Sequence, residues 1–190
     1  MNSNPTRRQF LQTASVATLA AGIPSIWAQA ASDKKVTIAF VGVAHIHTPE
    51  FIRLAKSRSD VKVKFVWDHD AARAQKRAQE LEAQAVNDLR QIWSDREVNA
   101  VVICSETNRH HELVIAAAKA GKHMFVEKPL GITGKDSVEM AHAIEKANLL
   151  FTTGYFMRIN PRHLFLKSEL SKGNFDRLDS IRLNSTKSPN

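Results

Sequence analysis

The sequence contains little cysteine, glycine or proline. Its single cysteine excludes a disulfide framework and also a zinc or iron–sulfur site built from several cysteines. Seven glycines and six prolines among 190 residues are too few for a fibrous or low-complexity chain. With 43% hydrophobic and 24% charged residues, this length predicts one globular domain with its own core, and it is too short for two full domains.

Residues 1–30 contain no aspartate, glutamate or lysine, and their apolar stretch is short. That stretch covers about ten residues, whereas a membrane-spanning helix needs about 20. It follows the pair Arg7 and Arg8, a pattern that resembles a twin-arginine export signal. Small residues up to Ala30 suit cleavage by a signal peptidase after that position. We therefore expect recognition by the twin-arginine export machinery and a periplasmic destination, with an ordinary secretory signal as the alternative and no stable membrane span.

The basic residues are not massed in one block. A formal net charge of +8 arises from 27 basic and 19 acidic residues, but the basic ones are scattered over several segments. The only tyrosine is Tyr155, and no stacked pattern of aromatic and basic residues is present. We therefore expect no nucleic-acid partner.

Apolar runs alternate with helical patterns from residue 36 onward. The run Val36–Val41 is typical of a strand that is buried on both faces of a parallel sheet, and Thr48 with Pro49 indicates a capped helix start. Further strands are predicted at 61–67, 100–104, 123–126, 149–153 and 181–185, and helices from Asp70 to Ala85, after Asp88, and at 108–120, 133–147 and 161–173. This rhythm predicts an α/β fold, a doubly wound parallel sheet with right-handed crossovers.

The loop after the first strand lies where dinucleotide-binding folds carry G-x-G-x-x-G. Gly42 keeps the first glycine, Ala44 is small at the second position, and His47 replaces the third. Because a strand precedes this loop and a helix start follows it, we expect Gly42, Ala44, His45, Ile46 and His47 to hold the pyrophosphate of NAD or NADP. A tight turn without a ligand is the alternative.

The loop after the second strand offers a carboxylate for a ribose. Asp68 is expected to bind the two hydroxyls of an adenosine ribose, which favours NAD. His69 and Arg73 are close enough in sequence to pair with a 2′-phosphate, so NADP stays open. A turn or helix-start role for Asp68 is the alternative, although Asp70 competes for it.

The spacing of His45 and His47 also fits a metal site, since His-x-His pairs bind zinc or iron in some proteins. Neighbours on a tight loop point in different directions, and the sequence assigns no third ligand. We therefore predict no metal. Cys104, at the end of an apolar run, is interpreted as a small core residue.

The most specific pattern lies between residues 105 and 161. The runs TNRHHE at 107–112, AGKHMFVEKPL at 120–130 and GYFMRINP at 154–161 resemble the Gfo/Idh/MocA oxidoreductase family, whose hallmark is Glu-Lys-Pro. The resemblance covers nearly all of 35–190. It implies a dinucleotide-binding, Rossmann-like domain at 31–155 and a truncated start of a C-terminal substrate domain at 156–190.

The resemblance also implies roles for individual residues. Lys128 would be the catalytic residue, facing both the nicotinamide and a substrate hydroxyl, and Glu127 would position Lys128 or a ribose. The other residues that it places along the cofactor are Ser105, Glu106, Thr107, Asn108, His111 and Arg158. The implied activity is NAD- or NADP-dependent hydride transfer at a hydroxyl of a sugar, inositol or related polyol.

A non-catalytic nucleotide-binding or scaffold fragment is the alternative, because the resemblance implies only the beginning of a second domain in these residues. Ile181 and Leu183 would then leave an apolar strand unpaired, and we expect the chain to self-associate, for example as a homo-oligomer.

Overall fold

Helices cover both faces of a six-stranded parallel sheet in the computed structural model, which describes residues 35–174. The strands are β1 (Val36–Val41), β2 (Val61–Trp67), β3 (Gln84–Ala85), β4 (Ala100–Ile103), β5 (His123–Val126) and β6 (Phe151–Thr153). The helices are α1 (Thr48–Ser57), α2 (Ala71–Leu81), α3 (Arg90–Trp93), α4 (Thr107–Lys119), α5 (Gly134–Lys146) and α6 (Pro161–Ser171), with a 3-10 helix at Phe156–Ile159.

The strand order is β3-β2-β1-β4-β5-β6, and every neighbouring pair is parallel. From β1 the chain therefore adds β2 and β3 on one side of the sheet. It then returns to the other side of β1 and adds β4, β5 and β6. The prediction of a doubly wound parallel sheet is confirmed. At the switch between β1 and β4 the chain changes the direction in which it builds, and doubly wound folds bind their ligands at the carboxyl ends of the strands at such a point.

The core has two parts because successive side chains of a strand point to opposite faces. On one face, Phe40 of β1 packs in a buried cluster with Ile52 of α1. On the other face, Val41 belongs to a cluster with Leu113 of α4 and Met140 of α5. Burial on both faces explains why β1 is a nearly continuous apolar run rather than an alternating one.

A side-chain cap fixes the start of α5, whereas the start of α1 has none. The Thr133 hydroxyl accepts the Asp136 amide at 3.0 Å, and the Asp136 carboxylate accepts the Thr133 amide at 3.2 Å, which confirms the capping box. The helix start predicted at Thr48 is displaced by one residue. Helix α1 already includes Thr48, and His47 occupies the cap position without a side-chain hydrogen bond.

The predicted extension of α2 to Ala85 is wrong. The helix ends at Leu81, and Glu82 adopts a left-handed conformation with φ of 52°. This turns the chain back toward the sheet, where Ala85 pairs with Val66 as part of the edge strand β3. The export segment 1–30 and the strand predicted at 181–185 lie outside the described residues. Among residues 35–174, no helix has the length and apolar character that a bilayer crossing requires.

Candidate functional site

The turn after β1 passes very close to the loop after β4. Gly42 has φ of 80°, and a β-carbon placed on it would lie 2.3 Å from the Cβ of Ser105. Only glycine fits both the backbone conformation and this approach. The Gly42 amide donates to the Trp67 carbonyl at 2.7 Å, and its carbonyl accepts the Cys104 amide at 3.2 Å. The turn is thus tied to both neighbouring strands.

Backbone amides of this turn differ in their partners. The Val43 amide donates to Asp68 Oδ2 at 2.7 Å. Within the described part of the chain, the amides of Ala44 and Ile46 donate to no protein acceptor. Amides that lie at the end of a strand, just before a helix, are the groups that bind phosphate in dinucleotide folds. The predicted pyrophosphate loop therefore has two free donors.

A second polar cluster joins the loops after β2 and β4. Asp68 Oδ1 accepts the Asp70 amide and an Arg73 N–H, both at 2.9 Å, and the same Arg73 nitrogen donates to Glu106 Oε1 at 3.1 Å. His69 is exposed, with its Nδ1 3.2 Å from Asp68 Oδ1. The buried Arg73 Nε and Glu106 Oε2 have no hydrogen-bond partner in the described part. Both atoms are closed to solvent, and Glu106 Oε2 lies 3.5 Å from His69 Nδ1, so a further polar group would reach them only after the cluster rearranged.

The Asp68 side chain is buried but remains charged. Burial alone raises the pKa of its carboxyl, but the hydrogen bonds from Arg73 and from the Asp70 and Val43 amides outweigh burial and hold the pKa below its usual value. The carboxylate therefore stabilises the first turn, and both of its oxygens already accept protein donors.

Glu127 is the centre of a third cluster, at the end of β5. Its side chain is fully buried, and its Oε1 lies 2.7 Å from His47 Nδ1 and 3.7 Å from His45 Nδ1. Its Oε2 accepts the Lys128 amide at 2.5 Å. The carboxylate has room because Gly154 follows β6, where an added β-carbon would lie 2.7 Å from Oε2. Glu127 thus joins the first turn to the backbone of Lys128.

The tautomer of His45 follows from its neighbours. The His47 amide donates to His45 Nδ1 at 3.2 Å, so this nitrogen carries a lone pair rather than a proton. Burial lowers the pKa of His45, although the Glu127 carboxylate opposes that effect. Nearby Cys104 is fully buried, and burial raises the pKa of its thiol, so the thiol stays protonated as a core residue does.

His110 is a site residue that the sequence analysis did not single out. It is fully buried, and its ring nitrogens lie 3.2 Å from the Ser105 carbonyl and 3.0 and 3.2 Å from those of Pro129 and Leu130. It therefore connects the loop after β4 to the Glu-Lys-Pro loop. Its place in the buried stripe of α4, three residues before Leu113, was the available signal.

Some predicted cofactor residues lie elsewhere or make no side-chain hydrogen bond. His111 is not brought into the clusters, because its Nε2 lies 2.9 Å from Glu139 of α5. Thr107 and Asn108 begin α4 directly after Glu106, with Asn108 exposed. Arg158 lies in the exposed 3-10 helix after β6.

An apolar cleft of about 520 Å³ lies beside His47, which lines it together with Phe51 and Phe156. The Phe51 ring centre is 4.8 Å from that of Phe125 and 6.3 Å from that of Phe156. These rings connect α1, β5 and the 3-10 helix. No local sequence pattern predicts this cleft, because its rings come from three distant segments.

Comparison with known proteins gives a consistent result. Residues 36–155 match a family model described as an oxidoreductase family with an NAD-binding Rossmann fold. The chain is 37% identical over 102 residues to myo-inositol 2-dehydrogenase of Thermotoga maritima, in a match that covers 54% of this chain and 30% of that protein. It is 31% identical over 136 residues to inositol 2-dehydrogenase of Salmonella paratyphi B, covering 70% and 40%.

A solved structure agrees with these matches. The NAD-binding oxidoreductase from Klebsiella pneumoniae superposes with a TM-score of 0.63 at 25% identity, over 75% of this chain and 40% of that one. The matched part thus spans well under half the length of each of these three proteins.

Proposed function

Because the chain belongs to the Gfo/Idh/MocA oxidoreductase family, we propose that its protein transfers hydride between NAD or NADP and a hydroxyl-bearing carbon of a sugar, inositol or related polyol. The observation that carries the proposal is the grouping of a glycine turn, two free amides and the Glu-Lys pair at the carboxyl ends of β1, β4 and β5.

The residues at these strand ends suit a dinucleotide. The free amides of Ala44 and Ile46 would donate to the pyrophosphate, and the absence of a side chain at Gly42 lets the turn pack against the next loop. Arg73 and Glu106, whose side chains are 30% and 38% exposed, would serve the adenosine ribose.

We propose that NAD binds more tightly than NADP. Arg73 is the cation that a 2′-phosphate would need, but it already pairs with two carboxylates, those of Asp68 and Glu106, at 2.9 and 3.1 Å. A 2′-phosphate would approach both carboxylates and would have to displace one of them from the guanidinium. Titration of the full chain with each nucleotide tests this order of affinities. Equal affinities, or tighter binding of NADP, would contradict it.

Lys128 is the proposed catalytic residue. The nicotinamide coenzyme supplies the hydride acceptor or donor. The Lys128 ammonium would donate a hydrogen bond to the substrate oxygen and stabilise the negative charge that develops there as the carbon loses hydride. Glu127 acts on its backbone, because the bond from the Lys128 amide to Oε2 fixes where the side chain begins.

The test combines nucleotide binding with turnover. The full chain is titrated with NAD and NADP and then assayed with inositols and sugars for NADH or NADPH absorbance. Lys128→Ala should keep the circular dichroism spectrum and abolish turnover, whereas Lys135→Ala, at an exposed position of α5, should change neither. If no nucleotide binds at millimolar concentration, the proposal fails, and binding without turnover in the unaltered chain favours the non-catalytic alternative.

We also propose export to the periplasm by the twin-arginine machinery. The support is the pair Arg7 and Arg8 before a short apolar stretch, in residues outside the described range. Cell fractionation tests it, because replacing both arginines by lysine should retain the protein in the cytoplasm. Continued export of that double variant would favour the ordinary secretory signal.

Residues 156–190 are proposed to begin a second domain. The support comes from the 3-10 helix and α6, which carry exposed apolar side chains. These are Phe156, Met157, Ile159, Leu164 and Phe165. Several exposed large apolar side chains in one short segment suit contact with another folded unit. Light scattering and binding of an apolar dye by the full chain test it, and a monodisperse monomer that binds no dye would contradict the expected self-association.

A further inference from the structure

We propose that His45, His47 and Glu127 form a binding site for a divalent transition-metal ion. One ligand atom from each of these side chains lies within 4.8 Å of the other two. The sequence offered only two imidazoles, and the fold supplies the third ligand from β5, 80 residues beyond His47.

The distances suit a metal without a large rearrangement. Zinc binds nitrogen and carboxylate oxygen at about 2.0–2.2 Å, which places neighbouring ligand atoms of a tetrahedral site about 3.3 Å apart. Glu127 Oε1 lies 2.7 Å from one imidazole nitrogen and 3.7 Å from the other, on either side of that value. Movements on the order of 1 Å in the two ring positions would complete the geometry.

The ligand chemistry also fits. Two imidazoles and one carboxylate are the ligand set of open zinc sites and of non-haem iron sites, in which further positions take water or a substrate oxygen. His45 Nδ1 already carries a lone pair, because it accepts the His47 amide at 3.2 Å. A metal at this nitrogen would replace that weak hydrogen bond.

Burial and charge give a reason for a cation here. The Glu127 side chain is fully buried, while those of His45 and His47 are 17% and 37% exposed, so the carboxylate lies at the base and the imidazoles at the mouth. In the described part of the chain, Glu127 forms no ion pair with lysine or arginine. A buried carboxylate without a permanent cationic partner is costly, and a bound metal would neutralise it.

The site lies beside Lys128 and does not depend on the proposed oxidoreductase activity. A hydrogen-bonded cluster without metal is the competing explanation, since a proton on His47 Nδ1 would account for the 2.7 Å contact with Glu127. The two explanations differ in what happens when a metal is offered to metal-free protein.

The experiment uses the untagged full chain after removal of metals by a chelator. Zn²⁺ is titrated by calorimetry, and Co²⁺ is added as a spectroscopic probe, because its visible absorption reports both coordination number and ligand type. We expect one ion per chain and a Co²⁺ spectrum of four- or five-coordinate type. His45→Ala, His47→Ala and Glu127→Gln should each weaken Zn²⁺ binding by about 100-fold or more, because loss of a group that only supports a ligand already costs about 10- to 100-fold.

The control is His142→Ala, which removes an exposed imidazole of α5 and should leave Zn²⁺ affinity unchanged. Circular dichroism of each metal-free variant shows whether it is folded, and the two histidine variants keep the test decisive if Glu127→Gln does not fold. Absence of stoichiometric binding, or equal affinity in the three variants and the control, overturns the proposal. Titration of the metal-free protein with NAD tests the oxidoreductase proposal separately.

Discussion

Replacing Asp68 by asparagine should reveal how much the buried carboxylate stabilises the fold. Asp68 is 4% exposed, and its two oxygens accept the amides of Val43 and Asp70 and one N–H of Arg73. Asparagine has the same shape but only one acceptor oxygen. Its NH₂ group must therefore face either the Val43 amide or the other two donors.

The expected loss follows from these contacts. A buried donor that loses its acceptor costs about 1–3 kcal/mol, and a hydrogen bond to a charged group contributes about 1.5–3 kcal/mol. Arg73 is 30% exposed, so water replaces part of what its guanidinium loses. We expect Asp68→Asn to lower the free energy of unfolding by about 2–3 kcal/mol at neutral pH.

Urea denaturation of the full chain, followed by tryptophan fluorescence, measures this difference, since the adjacent Trp67 is a buried reporter. Asp60→Asn is the matched control, because Asp60 pairs with Arg58 at the exposed surface and should leave the midpoint unchanged. Equal midpoints for Asp68→Asn and the unaltered chain would refute the structural role of this carboxylate.

The difference in free energy of unfolding between the unaltered chain and Asp68→Asn should also depend on pH. The pKa of folded Asp68 lies below the unfolded value of about 3.9, so its stabilisation is fully present above that value. It is lost as the pH falls through the folded pKa. The free-energy difference between the unaltered chain and Asp68→Asn should therefore be constant above about pH 5 and shrink in stronger acid. A difference that grows on acidification would show that the sign of the pKa shift is wrong.

Three further substitutions test the packing around the site, each by urea denaturation. Gly42→Ala places a β-carbon on a left-handed backbone and against Ser105, and should lower the free energy of unfolding by about 3 kcal/mol or more. The control is Gly121→Ala, at φ of 67° with open space around it, which should lower it by only about 1–2 kcal/mol. Similar losses at both positions would contradict the close approach of Gly42 to Ser105. His110→Ala removes a fully buried side chain that connects two loops and should lower the free energy of unfolding by about 2–4 kcal/mol. A loss below about 0.5 kcal/mol would contradict this role. Gly154→Ala should cost about 1–3 kcal/mol, because the methyl group meets the Glu127 carboxylate, and an unchanged midpoint would show that this carboxylate moves freely.

The sequence predicted the parts of the fold that depend on local patterns. The apolar run of β1 and the Thr133–Asp136 capping box were predicted from neighbouring residues alone, and the structure confirms both. The edge strand β3 has only two residues, too few for a pattern. The end of α2 was missed because Glu82, not a glycine, adopts the left-handed conformation there.

Much of the candidate site could not be predicted, because it depends on contacts between distant segments. The order of the strands places His47 against Glu127, and no local pattern connects two residues so far apart in the chain. The helical stripe of α4 separates buried His110 from His111, but the family motif drew attention to His111 alone. Roles assigned by motif therefore need the register of the helix as well.

The sheet ends on both sides in strands of minimal length within the described residues. Two residues form β3 at one edge, and three form β6 at the other. Each border therefore presents very few unpaired backbone groups to another molecule, and a partially unfolded copy has little template on which to extend the sheet. Concentrated solutions of the folded domain should accordingly resist fibril growth through its sheet borders.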